Sequence, residues 1–578
     1  MKYTNAGNNV YICSDFEMDK CNEMKGNHVN AIVVGAGAGG GVIAKELSVG
    51  GLSVVLFERG DWPVYDEHSA DELILQRQVL GNAFGPDWKK NPRVSIEPDG
   101  KRTTITPADG RYNPIAACVG SGTASYGAMA WRFMPEDFKM KTVYGSVEGS
   151  TLEDWPFSYG DLEPYYVKAE WEVGVSGEET NPFSGPRSKP YPMPPFEYSS
   201  EGRFFYDVCK RLGLHPFPIP MLRNSVPYNG RPACIRNRSC SGICCPVNAK
   251  NGTQNTVIPV ALKTGNCHVK TRCMVAEIIV DDSGNARGVK YFDENRKGHI
   301  QTADVVVIAG SAIETARLLL NSKSKLHPGG AGNNNDWVGR NLQGHAYTGA
   351  MGTFDFNILD LSGPGATMAI CDFNHDNPGL VGGGMLCTEF SQMPYTFSIV
   401  RPPDEAVWGK EHKDFQRKYF RSVGRLHGPV QEIPIFESRV TVDPDVKDYW
   451  GIPVAALSGS RHPLDRENCL FLSSRAEIIL KEAGALRIWT KGIPGVDKAT
   501  SPSAGSHQAG TCRMGTDPKT SVVNGFGQIH QIDNLFIADG SVLVTNGGFN
   551  PVLTIMAVAY RVGDYIVKNF NSIRIAAK

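Results

Sequence analysis

Residues 30–60, NAIVVGAGAGGGVIAKELSVGGLSVVLFERG, constrain the fold of this chain more than any other stretch. The apolar run Ala31 to Val34 leads into a glycine-rich turn, Gly35 to Gly40. A helical pattern follows, and a second apolar run, Val54 to Phe57, ends on Glu58. Strand, tight glycine turn, helix, strand and acid in this order form a dinucleotide-binding fingerprint. Gly35 permits the turn, Gly37 lets the backbone approach a pyrophosphate, and Gly40 lets the helix pack close to the strand. The helix N-terminus offers unpaired N–H groups and a partial positive charge to phosphate oxygens. Glu58, 18 residues beyond Gly40, stands where a carboxylate takes ribose hydroxyls.

A chain of 578 residues is too long for one small core and predicts two to four domains. Its net charge of −1 gives no electrostatic footprint for nucleic acid or an anionic membrane surface. No run approaches the ~18 apolar residues of a membrane helix. The first twenty residues, MKYTNAGNNVYICSDFEMDK, carry neither an apolar signal core nor a twin arginine, so a cytoplasmic location is the expectation. Of the 14 cysteines, four crowd together as Cys234, Cys240, Cys244 and Cys245. Such a cluster reads as packing or an occasional disulfide, with three or four thiolates on an iron–sulfur cluster as the alternative.

The pattern predicts an α/β fold whose Rossmann-like domain is discontinuous in sequence. Residues 1–28 read as an arm. Residues 29–160, 226–344 and 496–578 read as three parts of the dinucleotide domain, 161–225 as connecting substrate-domain chain, and 345–495 as a substrate domain on an antiparallel sheet. Within the last, TFSIV, SRVTV and IPVAAL read as strands and 463–484 as a helix. Residues 180–235 read as long irregular connections, and 297–304 and 323–336 as weakly structured. HVKTRCMVAEIIVDDSGNARGVKYFD reads as two strands around an Asp-Ser-Gly-Asn turn. A nucleotide domain threaded by another domain suits a flavin enzyme better than a simple nicotinamide dehydrogenase.

Four segments, VVGAGAGGGVIAKEL, VVVIAGSAIETARLLLNS, SHQAGTCRMGTDP and NLFIADGSVLVTNGGFNPVLTIMAVAYR, extend the pattern over nearly the full length. Together they resemble the glucose–methanol–choline (GMC) family of FAD-dependent alcohol oxidoreductases. GTCRMG, FNPVLT and AWRFMPEDF are similar to the branch of pyranose oxidases, glycoside 3-oxidases and gluconate dehydrogenase flavin subunits. The resemblance implies FAD, with its pyrophosphate on Gly35, Gly37 and Gly40, its adenine ribose on Glu58 and its adenine near Val275. It implies that the isoalloxazine and ribityl lie against Gly120, Ser121, Gly122 and Thr123, and against Asp539, Gly540, Asn550, Pro551 and Thr554. Some relatives attach FAD through a histidine in the loop that here reads VGSGTASYG. Ser125 stands at the matching position, which implies non-covalent FAD.

Alcohol oxidation by a flavin requires a proton to leave the hydroxyl and a hydride to leave the carbon. An alcohol is a very weak acid, so a tuned base is needed, and histidine is the usual choice. A second polar group holds the same oxygen as its negative charge develops. The family pattern implies His507, in SHQAGTCRMG, as base and Asn550, in FNPVLT, as its partner, 43 residues later. Asn550 also reads as a helix N-cap, because a helical run follows it. His427, Gln431 and Glu432 read either as structural groups or as partners for substrate hydroxyls.

The expected activity is oxidation of a secondary hydroxyl of a sugar, glycoside or sugar acid to a ketone, with oxygen or another acceptor taking the electrons. The expected partners are that small molecule and a second copy or a small subunit, with no nucleic acid and no membrane span. Alternatives are the flavin subunit of a gluconate-type dehydrogenase complex, an FAD-containing lyase, and a plain nicotinamide dehydrogenase.

Overall fold

The computed structural model describes residues 27–65, 84–238, 240–390, 393–490 and 505–574. The arm expected over 1–28 lies almost wholly outside the described residues. Strands are numbered β1–β17 in chain order.

The first sheet is built by residues that can be buried on both faces. β1 (His28–Val34, HVNAIVV) and β2 (Val54–Phe57, VVLF) are near-continuous apolar runs, as a parallel sheet covered by helices requires. They pair in parallel, Ala31 opposite Val54 and Val34 opposite Phe57. β3 (Arg93–Ile96), β4 (Arg102–Ile105) and β5 (Phe217–Pro218) leave for other sheets. The first sheet then takes β6 (Cys267–Lys270), β7 (Met274–Val280), β8 (Ala286–Phe292), β9 (Gly298–Ile308) and, near the C-terminus, β17 (Leu535–Ile537). Its order is β6-β2-β1-β9-β8-β7, with β17 beside the second half of β9. Helix Ala38–Val49 packs against helix Val552–Ile573. β1 and β9 run side by side and end together, Val34 opposite Ile308. The crevice beyond those strand ends is where a parallel sheet of this kind places its ligand.

The second sheet is antiparallel, in the order β16-β10-β13-β12-β11-β5. Its strands are β10 (Ala346–Thr353), β11 (Met368–Ile370), β12 (Leu386–Thr388), β13 (Val423–Val430) and β16 (Arg487–Thr490), with β5 at one edge. Alternation gives it two uses. Ala350 and Leu426 share an apolar cluster with Leu472, Ala476, Ile479 and Leu480 of helix Pro463–Glu482. Tyr347, Met351, Arg425 and His427 turn the other way and line a cavity. A third, four-stranded sheet joins β14 (Arg439–Lys447) and β15 (Pro453–Ser458) to β3 and β4, so residues 93–105 fold with residues 439–458.

Three local expectations are corrected. TFSIV is not a strand: Pro394–Ile399 is a short helix, because Pro394 suits a first helical turn and Phe397 is buried with Phe415, Val423 and Trp489. Residues 180–235 contain helix Ser200–Arg211. The Ser199 hydroxyl caps it by accepting from the Gly202 N–H, and it buries Phe205, Val208 and Cys209. Residues 298–304 belong to β9, where polar side chains alternate with buried Gln301 and Ala303 beside β8 and β1. The hairpin around Asp281–Asn285 forms as expected between β7 and β8, while HVK of the same segment joins β2 in parallel.

Candidate active site

A cavity of about 1020 Å³ runs from the glycine turn to the cavity-facing side of the second sheet. Its volume is at the upper end for a small-molecule site, which leaves room for a dinucleotide and a second molecule.

The end at the first sheet is a cradle for a diphosphate. Gly35 has φ +99°, and a Cβ there would lie 2.3 Å from the Ala309 carbonyl oxygen. A Cβ on Gly37 would lie 3.2 Å from that of Ser121. Helix Ala38–Val49 has no capping side chain and no acid in its first turn, and Gly37, Ala38 and Gly39 line the cavity. Its first N–H groups are therefore offered to an anion rather than to the protein. Glu58, buried at the end of β2, accepts from the N–H groups of Ala36 at 3.1 Å and Gly60 at 2.9 Å. Burial pushes its carboxyl up, and those two N–H donors oppose the shift. These features fit FAD: backbone donors that would hold its pyrophosphate, a carboxylate that would take its ribose, and Val275 on β7 in the cavity wall, where the resemblance puts the adenine.

Ser121, Gly122, Thr123 and Ser125 line the middle of the cavity, as do Asp539, Gly540, Asn550 and Pro551. Both carboxylate oxygens of Asp539 are already engaged. One accepts from the Ser311 N–H at 3.0 Å and the Thr315 hydroxyl at 2.6 Å, and the other from the Ser541 N–H at 2.8 Å. Asp539 thus ties the end of β9 to the C-terminal loop, and burial pushes its carboxyl up. Three expected contacts lie behind the lining. A Cβ on Gly40 would fall 1.8 Å from the Gly35 carbonyl oxygen, so its role is close helix packing. Gly120, at φ +91°, packs on Gln254. Thr554 is fully buried, and its hydroxyl bonds the Tyr166 hydroxyl at 2.7 Å.

At the other end the structure brings His507 and Asn550 together, with Nε2 of His507 3.3 Å from Nδ2 of Asn550. Asn550 also donates to the Tyr347 hydroxyl at 2.9 Å. Its Oδ1 is buried without a hydrogen-bond partner in the protein. Asn550 is not a helix cap: the cap position of helix Val552–Ile573 is Pro551, which has no capping side chain. The loop carrying His507 is pinned on both sides. Asn113 accepts from the Gly505 N–H at 2.8 Å and, through its carbonyl, from the Gln508 amide at 2.7 Å. Ala509 and Gln343 exchange backbone hydrogen bonds of 3.0 Å each way as an antiparallel bridge. Two residues along an antiparallel register, His507 and His345 must face each other. Their Nδ1 atoms are 2.8 Å apart. His345, buried just before β10, and Tyr347, on it, were not singled out in the sequence. The signal available was a histidine and a tyrosine two residues apart at a strand start.

The outer wall is polar and aromatic: Tyr347, Glu389, Phe390, Arg425, His427 and Trp489. His427 Nε2 lies 2.5 Å from Glu389 Oε2. Burial pushes the Glu389 carboxyl up, but His427 and Arg425 outweigh it and hold it below the usual carboxylate range. Gln431 and Glu432 are buried rather than solvated. Glu432 accepts from the Gly344 N–H at 3.0 Å and Arg461 at 2.8 Å.

Behind Arg425, Glu201 is buried and accepts from the Arg425 N–H at 2.9 Å. Burial pushes its carboxyl up to about 8. Between the unfolded value and that one the native state binds the extra proton, so stability falls as pH rises through this window. The slope is about 1.4 kcal/mol per pH unit at most. Urea midpoints between pH 5 and 8 should therefore fall less steeply in Glu201→Gln than in the wild type.

Cys234, Cys240 and Cys245 lie around the buried Arg223 guanidinium. Cys240 accepts from Arg223, the Cys234 sulfur from the Arg236 N–H at 3.3 Å, and the Cys245 sulfur from the Ala249 N–H at 3.3 Å. Cys244 is buried among Phe84, Ala116, Cys118 and Ala124. Among the described residues these thiols are unbridged, and no three His, Cys, Asp or Glu side chains are grouped to hold a metal. No described helix is long and apolar enough to cross a membrane.

The GMC oxidoreductase models match residues 197–347 and 434–559. The chain is 32% identical to 2-methyl-1,2-propanediol dehydrogenase of Mycolicibacterium austroafricanum, over 95% of this chain and 96% of that one. It is 28% identical to the fructose dehydrogenase large subunit of Gluconobacter japonicus, over 93% and 98%. It is 29% identical to 6'''-hydroxyparomomycin C oxidase of Streptomyces lividus, over 94% and 92%. In fold it matches formate oxidase of Aspergillus oryzae with a TM-score of 0.64 at 14% identity, covering 95% of this chain and 99% of that one.

Proposed function

The chain belongs to the GMC oxidoreductase family of FAD-dependent enzymes acting on hydroxyl groups, and from that premise we propose that its substrate is a sugar, glycoside or sugar acid, oxidised at a secondary hydroxyl to a ketone. The observation that carries this reading is the outer wall of the cavity. Glu389, Arg425, His427 and Tyr347 offer hydroxyl partners, and Trp489 and Phe390 offer flat apolar faces. That mixture suits a polyol ring better than a plain hydrocarbon alcohol. Two relatives, named for fructose and for a paromomycin derivative, support the same substrate class.

In this reading Nε2 of His507 takes the hydroxyl proton. The Asn550 amide, which does not titrate, donates to the same oxygen and stabilises its developing charge. Bound FAD supplies the acceptor for the hydride leaving the substrate carbon. The glycine turn and the first N–H groups of helix Ala38–Val49 hold the cofactor's pyrophosphate, and Glu58 its ribose. With Ser125 where some relatives carry a linking histidine, FAD is held without a covalent bond. Oxygen or another acceptor then takes the electrons. A partner subunit as that acceptor is the second reading, favoured by the relative named as a dehydrogenase large subunit.

Anaerobic titration of the yellow protein with sugars, glycosides and sugar acids tests the proposal. Bleaching by one of them, with a ketone product two hydrogens lighter, is the expected result. Recovery of colour on admitting oxygen identifies an oxidase, and its failure identifies a dehydrogenase. Bleaching by simple diols alone would overturn the sugar assignment. Bond cleavage without bleaching would indicate a lyase.

A further inference from the structure

We propose that His345 is a positioning residue that fixes the ring tautomer of His507, so that Nε2 of His507 is the basic nitrogen presented to the cavity. The proposal rests on the reading of His507 as the base. It starts from a carbonyl, a group that can only accept. His345 Nε2 lies 2.7 Å from the Gly547 oxygen, so this nitrogen carries a proton and donates it. A neutral ring has one N–H, so His345 Nδ1 is an acceptor. His507 Nδ1 lies 2.8 Å from it and must therefore be the donor. Two lone pairs at that separation would repel, so the opposite tautomer of His507 is excluded while His345 stays neutral. His507 Nε2 is left as the acceptor. The amide of Asn550 at 3.3 Å, itself a donor, is oriented to match. The Gly547 carbonyl at the far end of the relay sets this arrangement, and the Asn550 amide placed as a donor is compatible with it.

The surroundings keep His345 neutral. It is buried, and burial pushes its ring down; Glu432 and the Gly547 and Asn546 backbone oppose this without outweighing it, and Arg461 reinforces it. The Tyr347 hydroxyl also approaches His507 Nδ1, at 3.5 Å, a far weaker contact than the one at 2.8 Å. The bridge between Gln343 and Ala509 sets the register that brings the rings together, so the relay is built into the backbone pairing.

Nitrogen-15 spectra of ring-labelled, FAD-loaded protein read the tautomers without turnover. His507 is expected to be protonated at Nδ1 and bare at Nε2, with His345 the reverse. A proton on Nε2 of neutral His507 would overturn the proposal. Variants give the kinetic counterpart. In His345→Gln the amide can still donate to Gly547 and accept from His507, so flavin bleaching should stay near the wild-type rate with an unchanged pH profile. In His345→Leu the rate should fall about 10²–10⁴-fold with an altered pH profile, as expected when a base loses its orienting partner. Equal losses in both variants with unaltered profiles would mark His345 as merely structural and overturn the proposal. If His345→Leu does not fold, the spectra of the wild type still decide. Wild-type bleaching in His507→Ala would instead refute the base assignment, whatever the tautomers.

Discussion

Alanine at position 507 is expected to slow anaerobic bleaching of the flavin by about 10²–10⁴-fold, the usual worth of a general base. The protein should remain yellow. His507 stands beside Asn550 and Tyr347, and the groups proposed to hold the cofactor's nucleotide are the glycine turn and Glu58 instead. The loop around it is anchored by backbone and by Asn113 and Gln508, none of which the substitution removes. Stopped-flow absorbance gives the rate, and the protein-to-flavin ratio gives retention. Loss of colour would assign the residue to cofactor binding instead of proton transfer.

Alanine at Gly40 should have the opposite profile. Its Cβ would meet the Gly35 carbonyl oxygen at 1.8 Å and the Ala309 Cβ at 3.2 Å, neither of which is the end of a flexible side chain that could yield. Helix Ala38–Val49 would have to move off β1, which displaces the N–H groups offered to the pyrophosphate. We expect a stability loss of about 3 kcal/mol, the upper end of the usual cost of overpacking, and a colourless or weakly flavinated protein. Gly110 is the control, because a Cβ there meets open space. Gly110→Ala should change stability by no more than about 0.5 kcal/mol. Denaturant midpoints and bound flavin measure both.

The glycine fingerprint was legible because its physics is local. A turn that needs φ > 0, a helix that must approach a strand and an acid at the next strand end all fall within 30 residues. The pairing of His507 with Asn550 was also legible, although only through motifs whose spacing matches a known family. His345 was not. Its position opposite His507 comes from a bridge between segments 166 residues apart in the chain, Gln343 and Ala509, and no local pattern announces such a register. The same limit explains the third sheet, in which β15 pairs with β3 across most of the chain. TFSIV misled because its β-branched and aromatic residues favour strands, while a proline start and one buried ring decided for a helix. Thr554 misled because a residue next to cavity-lining positions on a helix can point into the core, where Tyr166 takes its hydroxyl.

The central claim is that a substrate hydroxyl sits between an imidazole nitrogen and an amide donor. A crystal structure of the FAD-loaded protein with a non-reacting sugar analogue tests it most directly. The account predicts one secondary hydroxyl oxygen within about 2.6–3.2 Å of both His507 Nε2 and Asn550 Nδ2. An analogue bound with every hydroxyl beyond reach of His507, and another side chain at the reacting position, would contradict it.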